Sequence, residues 1–133
     1  VKDGEGATKL IHVKVSGAEN SSSAKKIARS IADSPLVKTA IGASDPNWGR
    51  IIMAMGKTKE SIQSKKVSLR IGKNLVIRSG ELSRSYSESK TKKYMKGEQI
   101  LLSIDLGLGN GESDIWTCDL TEEYIRINAD YRS

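Results

Sequence analysis

The chain has 133 residues, about the length of one domain, and its hydrophobic fraction of 37% includes no Phe. A single cysteine excludes an intrachain disulfide and a cysteine-based zinc site, and it favours a reducing compartment such as the cytoplasm. No apolar run approaches the roughly 20 residues of a membrane span. The net charge of +6 permits a nucleic acid as partner, but acids interrupt the lysine runs and no aromatic residues are interleaved for base stacking.

The first third of the chain predicts a strand followed by two helices. Alternation with β-branched residues predicts a strand over 10–15, which the Ser-Gly-Ala segment 16–18 interrupts. Apolar residues at helical spacing predict a helix over 24–32, with an N-cap among the serines 21–23. Since the residue before proline avoids the α region, a second short helix is predicted over 36–41.

The segment that follows is rich in turn-forming residues but also contains Trp48 and Arg50. We interpret it as a loop that enters a buried helix near Pro46, with Asp45 as its cap and Gly56 as its end. A strand over 51–55 is the alternative, because periodicity does not decide a short apolar run.

The remaining elements alternate between strands and helices. In order, they are a hairpin of strands 67–71 and 75–78, a helix over 87–96, a strand over 99–106, a glycine-rich link over 107–111, a strand over 114–118, and a helix over 122–128 capped by Thr121. This order predicts an α+β fold with a mixed, mostly antiparallel sheet and helices packed on it. Residues 1–18 are expected to end a larger catalytic lobe, and residues 19–133 to form a C-terminal α+β domain.

Glu5 is the most distinctive carboxylate, because Gly4 and Gly6 flank it immediately before the first strand. The glycines allow a sharp turn with positive φ and let a small molecule approach the carboxylate closely. A plain surface turn is the competing interpretation, since one glycine-acid-glycine triplet is a weak motif.

Other segments divide between structural and functional interpretations. The link over 107–111 lacks the helix and the Lys-Ser/Thr pair of a phosphate loop and is interpreted as a flexible connection between strands. His12 is interpreted as structural or solvent-facing, and Cys118 as a packed small residue. Residues 45–50 suit either a structural corner or part of a site, in which Arg50 could bind a carboxylate. The C-terminal residues 128–133 keep hydrogen-bonding groups to the end, unlike an ordinary frayed tail.

Several of these segments together resemble the ornithine acetyltransferase (glutamate N-acetyltransferase) family of arginine biosynthesis. The residues within these motifs are similar to those of alphaproteobacterial members. The order and spacing agree over the whole chain. The segments that carry the resemblance are Asp-Gly-Glu-Gly-Ala-Thr-Lys at 3–9, Ser-Pro-Leu-Val-Lys-Thr-Ala at 34–40, Asp-Pro-Asn-Trp-Gly-Arg at 45–50, Tyr-Met-Lys-Gly at 94–97, Cys-Asp-Leu-Thr at 118–121 and Asn-Ala-Asp-Tyr-Arg-Ser at 128–133.

The resemblance implies the C-terminal part of a DmpA/ArgJ-like fold and an acetyl transfer from N-acetylornithine to glutamate. Family members cut themselves before a threonine, which then serves as nucleophile in an acetyl-enzyme. That threonine and the oxyanion hole are expected upstream of this chain, so no catalytic residue is assigned here. Thr8 is not assigned as nucleophile, because its surroundings match a later, uncut motif. Since residue 1 is Val, a processed chain or a fragment is expected.

The resemblance also implies the binding groups. Substrate binding is assigned to Glu5, Asn128 and Ser133, while a supporting or structural role is assigned to Asp3, Lys9, Asn47, Trp48 and Arg50. No metal or cofactor is expected, and acetyl-CoA as a co-substrate is left open.

The expected partners are the N-terminal chain and the rest of the β chain, assembled as a heterotetramer that binds no nucleic acid and no membrane. A small basic nucleic-acid-binding domain and a related N-terminal-nucleophile amidase are the alternative functions.

Overall fold

The computed structural model describes residues 9–121, in which helices pack on a six-stranded sheet. The strands are β1 (Leu10–Ala18), β2 (Ser68–Ile71), β3 (Asn74–Arg78), β4 (Glu81–Leu82), β5 (Gln99–Asp105) and β6 (Gly111–Cys118). The helices are α1 (Ser21–Asp33), α2 (Pro35–Gly42), α3 (Trp48–Gly56) and α4 (Glu88–Met95), with a turn of 3-10 helix at Ser64–Lys66. Each helix in this range is too short or too polar to cross a bilayer.

The sheet is mixed, with the strand order β4-β3-β2-β5-β1-β6. β1 runs parallel to β5, while the other neighbouring pairs are antiparallel. Leu10 at the start of β1 lies opposite Gln99 at the start of β5 and opposite Cys118 at the end of β6. The first residues of two strands and the last residue of a third therefore meet at one edge of the sheet.

The core lies between the sheet and the helices on one of its faces. Alternate residues of the neighbouring strands β1 and β5 are buried there, namely Ile11, Val13, Val15, Ile100, Leu102 and Ile104. α1 packs against β1 and β6 through its own buried stripe of Ala24, Ile27, Ala28, Ile31 and Ala32. Each fully buried Ile or Leu contributes about 1.5–3 kcal/mol, so this contact stabilises the sheet.

The predicted fold class and most predicted elements are confirmed. The predicted strands correspond to β1, β2, β3, β5 and β6, and the predicted helices to α1, α2, α3 and α4. Residues 51–55 belong to α3, so the strand alternative for that segment is wrong. The two-residue strand β4 was not predicted, because nothing in so short an exposed segment distinguishes it from a turn. The predicted helix over 122–128 lies outside the described residues.

The helix caps differ from the predicted ones. Asn20, rather than a serine of 21–23, caps α1 by accepting a hydrogen bond of 2.8 Å from the backbone N–H of Ser23. Asn47, rather than Asp45, caps α3, and its Oδ1 accepts from the N–H of Arg50 at 3.2 Å. In both cases the cap is the residue directly before the first helical one, and the sequence pattern placed the helix start incorrectly by two or three residues.

The predicted interruption at 16–18 is wrong, because β1 continues to Ala18 through an irregularity in its pairing with β6. Gly17 makes this possible: its φ is +65°, and a Cβ at this position would lie 2.2 Å from Oδ1 of Asp105. The predicted domain boundary after residue 18 separates β1 from β5 and β6, which flank it in the same sheet. The assignment of residues 1–18 to a larger catalytic lobe stays a prediction.

Candidate functional site: the lysine clasp

At the edge where β1 begins and β6 ends, a buried lysine side chain joins several elements. The Lys9 Nζ donates hydrogen bonds to the carbonyl oxygen of Ile41 at 2.8 Å, to the Oγ of Ser44 at 2.6 Å and to the carbonyl oxygen of Met95 at 2.5 Å. Ile41 lies in the last turn of α2, and Met95 is the last residue of α4. The ammonium group therefore lies at the negative ends of two helix dipoles, where a cation is favourable.

The backbone of Lys9 is paired as fully as its side chain. Its N–H donates to Oδ1 of Asp119 at 2.9 Å, and the N–H of Asp119 donates back to the carbonyl oxygen of Lys9 at 3.2 Å. Both residues are buried, with 6% of Lys9 and none of Asp119 exposed. We call Lys9 and its partners Ile41, Ser44, Met95 and Asp119 the lysine clasp.

The electrostatics of the lysine clasp combine burial with a nearby opposite charge. Burial lowers the pKa of Lys9 below the ordinary value for lysine, and the Asp119 carboxylate opposes this shift by favouring the charged form. The ammonium has three N–H donors, and three acceptors face it. Breaking this arrangement would leave a buried charge uncompensated, which is strongly destabilising.

The segment after Asp119 continues along the end of α2. The N–H of Leu120 donates to the carbonyl oxygen of Lys38 at 3.2 Å. The backbone passes so close to Gly42 that a Cβ there would lie 2.3 Å from the Leu120 oxygen. The two ends of the described chain, residue 9 and residues 119–121, therefore lie side by side.

The lysine clasp also brings together the segments that carry the family resemblance. Ile41 and Ser44 lie between segments 34–40 and 45–50, Met95 belongs to segment 94–97, and Asp119 belongs to segment 118–121. Segments far apart in sequence thus meet around one side chain. Nothing in the sequence pattern indicated this role, since a lysine before a strand is normally a solvated residue.

The residues predicted to bind substrate lie outside the described range. These residues are Glu5, Asn128 and Ser133, and the supporting residue Asp3 lies outside it as well. Lys9, however, is four residues beyond Glu5, and Asp119 is nine residues before Asn128. Within the described range, Lys9 and Asp119 are hydrogen-bonded to each other.

The other supporting residues lie at the start of α3. Asn47 caps this helix, and the Arg50 guanidinium donates to the carbonyl oxygen of Leu36 at 2.9 Å, which ties α3 to α2. Trp48 is 37% exposed and forms one wall of an apolar cavity of about 360 Å³ between α3 and the 3-10 turn. Asn47 and Arg50 thus stabilise α3 and its contact with α2, and both follow Ser44 of the lysine clasp by only a few residues.

The face of the sheet opposite the helices carries a second polar group that the sequence analysis missed. Nε2 of His12 lies 2.6 Å from Oδ2 of Asp114, and the His12 ring stacks on Trp116 with ring centroids 4.0 Å apart. These contacts arise from the register of β1 against β6, which the sequence does not reveal. His12 thus has an acidic partner that was not predicted.

A concavity of about 960 Å³ lies on this open face and not at the lysine clasp. It is lined by cationic and acidic side chains together, among them Lys14, Arg70, Asp105 and Glu112, and it does not enclose the segments of the resemblance. We therefore assign the candidate site to the edge with the lysine clasp. Within residues 9–121, no group of three or more His, Cys, Asp or Glu side chains is arranged to hold a metal ion.

Comparisons with known proteins define first the fold and then the family. The crystal structure of the arginine biosynthesis bifunctional protein argJ from Bacillus halodurans superimposes with a TM-score of 0.90 at 43% identity, covering 98% of this chain and 61% of that chain. The fold is therefore the ArgJ/DmpA-like α+β fold. The model of the ArgJ family matches residues 1–133, and the chain belongs to the ArgJ family.

Curated relatives agree over the full length of this chain. The arginine biosynthesis bifunctional protein ArgJ of Caulobacter vibrioides is 50% identical over 133 residues, and that of Brucella suis is 52% identical over the same length. The match covers 100% of this chain but 33% and 32% of the two relatives. The chain thus spans about a third of the length of the curated relatives it matches.

Proposed function

We propose that this chain is the C-terminal part of a glutamate N-acetyltransferase that moves an acetyl group from N-acetylornithine to glutamate. The threonine nucleophile of the complete protein attacks the amide carbonyl of N-acetylornithine, and ornithine leaves with its amino group protonated. The α-amino group of glutamate then attacks the acetyl-threonine ester, which restores the threonine hydroxyl. In this division of roles, the chain supplies groups that bind the amino acids.

The proposed binding groups match the charges of these substrates. The Glu5 carboxylate pairs with the side-chain ammonium of the ornithine moiety, and Asn128 and Ser133 hydrogen-bond to its polar head. Lys9, Asn47, Trp48 and Arg50 support the site through the contacts described above. The observation that supports the proposal is the backbone pairing of Lys9 with Asp119 in a member of the ArgJ family, because Lys9 is four positions after Glu5 and Asp119 is nine positions before Asn128.

The test uses the complete protein that contains this chain. Transfer of labelled acetyl from N-acetylornithine to glutamate is measured for the wild type, for Glu5→Gln and for Glu81→Gln, an exposed carboxylate on β4 that serves as control. Loss of a charged hydrogen bond is worth about 1.5–3 kcal/mol, so Glu5→Gln should raise the KM for N-acetylornithine roughly 10- to 100-fold. The Glu81→Gln variant should match the wild type.

Two results would contradict the proposal. A wild-type protein that transfers no acetyl group lacks the proposed activity altogether. If the KM of the Glu5→Gln variant for N-acetylornithine equals that of the Glu81→Gln variant, Glu5 is not part of the site. Acetyl-CoA offered in place of N-acetylornithine tests whether the protein accepts a second acetyl donor.

The proposed partners are the N-terminal chain, released by self-cleavage before the threonine, and the rest of the β chain, together forming a heterotetramer. An arginine-biosynthetic role places this assembly in the cytoplasm. Mass spectrometry of the purified complete protein tests the cleavage directly: two chains, the second beginning with threonine, support it, whereas a single intact chain with full activity contradicts it.

A further inference from the structure

The apolar cavity between α3 and the 3-10 turn, called here the Trp48 cavity, has the size and the lining of a small-molecule site. Its volume of about 360 Å³ falls within the roughly 300–1,000 Å³ that ligand pockets occupy. Most of its walls are apolar, and they include Trp48, Ile52, Ile62 and Ile77. A ligand in this cavity would remove apolar surface from water, which favours binding.

One carboxylate interrupts the apolar lining of the Trp48 cavity. Glu60 lies in its wall, and 22% of the Glu60 side chain is exposed. The Nζ of Lys26 lies 3.9 Å from Oε2 of Glu60, which is beyond hydrogen-bond distance, and the Lys26 side chain is 64% exposed. So long and exposed an ion pair is weak, and a carboxylate has about four lone-pair sites. Glu60 therefore retains the capacity to accept hydrogen bonds from a cationic ligand.

The loop that carries Glu60 is held in a defined conformation. The Thr58 hydroxyl donates to the carbonyl oxygen of Met55 at 2.8 Å and accepts from the N–H of Glu60 at 3.2 Å. Lys59, between these residues, has a φ of +60°, a left-handed conformation that residues other than glycine rarely adopt. Because the loop is already fixed, little ordering of its backbone is needed when a ligand binds.

Trp48 favours a cation over other ligands in the same cavity. Tryptophan is the side chain that best attracts a cation over its ring. An anion would be repelled by the Glu60 carboxylate, and a neutral apolar molecule would remove that carboxylate from water without pairing it. The charge and the apolar walls together therefore select a ligand that is both cationic and partly apolar.

We propose that the Trp48 cavity is a binding site for a small organic cation, an ammonium group on an apolar body. The ammonium pairs with the Glu60 carboxylate, and the apolar body packs against Trp48 and the neighbouring isoleucines. This inference goes beyond the proposed function and does not rest on it.

The experiment is a calorimetric titration of the complete protein with three probes of equal chain length: n-pentylammonium, pentan-1-ol and pentanoate. A hydrogen bond to a charged group changes affinity by about tenfold or more, so n-pentylammonium should bind at least about tenfold more tightly than pentan-1-ol. Pentanoate should bind more weakly than pentan-1-ol, because its charge has the same sign as that of Glu60.

Variants locate the bound cation. Glu60→Gln should weaken n-pentylammonium binding at least about tenfold, to the level of pentan-1-ol. Trp48→Leu should weaken it about 2- to 30-fold. Glu81→Gln and Trp116→Leu change an exposed carboxylate and an exposed Trp outside the cavity, and both should leave the affinity unchanged. Glu5→Gln should also leave it unchanged, which separates the cavity from the proposed amino-acid site.

Gly56→Leu blocks the cavity without removing any of its contacts. Gly56 lines the cavity at the end of α3, and nothing lies within 4 Å of a Cβ added there. The leucine side chain therefore enters open space, and the variant should fold and lose n-pentylammonium binding. It takes the place of Trp48→Leu if that variant does not fold.

Three results would overturn the proposal. They are equal affinities for the three probes, an unchanged affinity in both Glu60→Gln and Gly56→Leu, and a loss of binding in Glu5→Gln alone, which would assign the probe to the amino-acid site. A wild type that binds n-pentylammonium through Glu60 but transfers no acetyl group refutes the proposed function and leaves this site standing.

Discussion

Replacing Gly42 by alanine tests whether the chain after Asp119 truly lies against the end of α2. The added Cβ would lie 2.3 Å from the Leu120 oxygen and 3.3 Å from Oδ2 of Asp119, whereas ordinary contacts begin near 3.4 Å. The segment must therefore move by roughly 1 Å, which strains the hydrogen bond from Leu120 to Lys38. Overpacking of this kind costs about 1–3 kcal/mol, against a gain in helix propensity of up to about 1 kcal/mol.

Gly56 provides a matched control, because it also ends a helix and nothing lies within 4 Å of a Cβ added there. We expect Gly42→Ala to lower the unfolding midpoint of the complete protein, and Gly56→Ala to leave it unchanged or to raise it. Scanning calorimetry of both variants measures the difference. Equal midpoints would show that residues 119–121 do not pack on α2, and the reasoning about the lysine clasp would lose its geometric basis.

Three further changes probe other parts of the account. Asn47→Ala removes the cap of α3 and should lower the free energy of unfolding by about 1 kcal/mol. Asn47→Asp should keep most of that stability, and the denaturant midpoints of both variants measure the difference. Leu102→Ala leaves a cavity at a fully buried position of β5 and should lower the free energy of unfolding by about 2–5 kcal/mol in the same assay. A smaller loss than that of Asn47→Ala would place Leu102 outside the core. Because the pKa of Lys9 is lowered on folding, the unfolded chain binds more protons than the folded one just below about pH 10.4. The free energy of unfolding of the wild type, relative to that of Lys9→Met, should therefore rise with pH in that window. A fall would contradict the direction of the pKa shift.

The sequence revealed the elements that depend on local pattern. Alternation along β1 and β5 and the helical spacing of apolar residues in α1 are strong signals, because each element buries one face. The caps were misplaced because several residues near each helix start can accept the same hydrogen bond. The continuation of β1 through Gly17 was missed because it depends on the close approach of Asp105, a residue distant in sequence.

The candidate site was only partly predictable, for a related reason. Lys9 was noticed through the family resemblance, but its acceptors lie 32, 35 and 86 residues away in the chain. The pairing of His12 with Asp114 likewise spans 102 residues and depends on the register between β1 and β6. Long-range contacts of this kind are decided by topology, which a single sequence does not display.

The central claim of the proposed function is that one amino-acid ligand contacts both the segment with Glu5 and the segment with Asn128 and Ser133. A crystal structure of the complete protein with N-acetylornithine bound measures this directly. We predict that the Glu5 carboxylate and at least one of Asn128 and Ser133 lie within about 2.7–3.2 Å of the same ligand molecule. A ligand that contacts one of these segments and leaves the other on a different side of the protein would contradict the account.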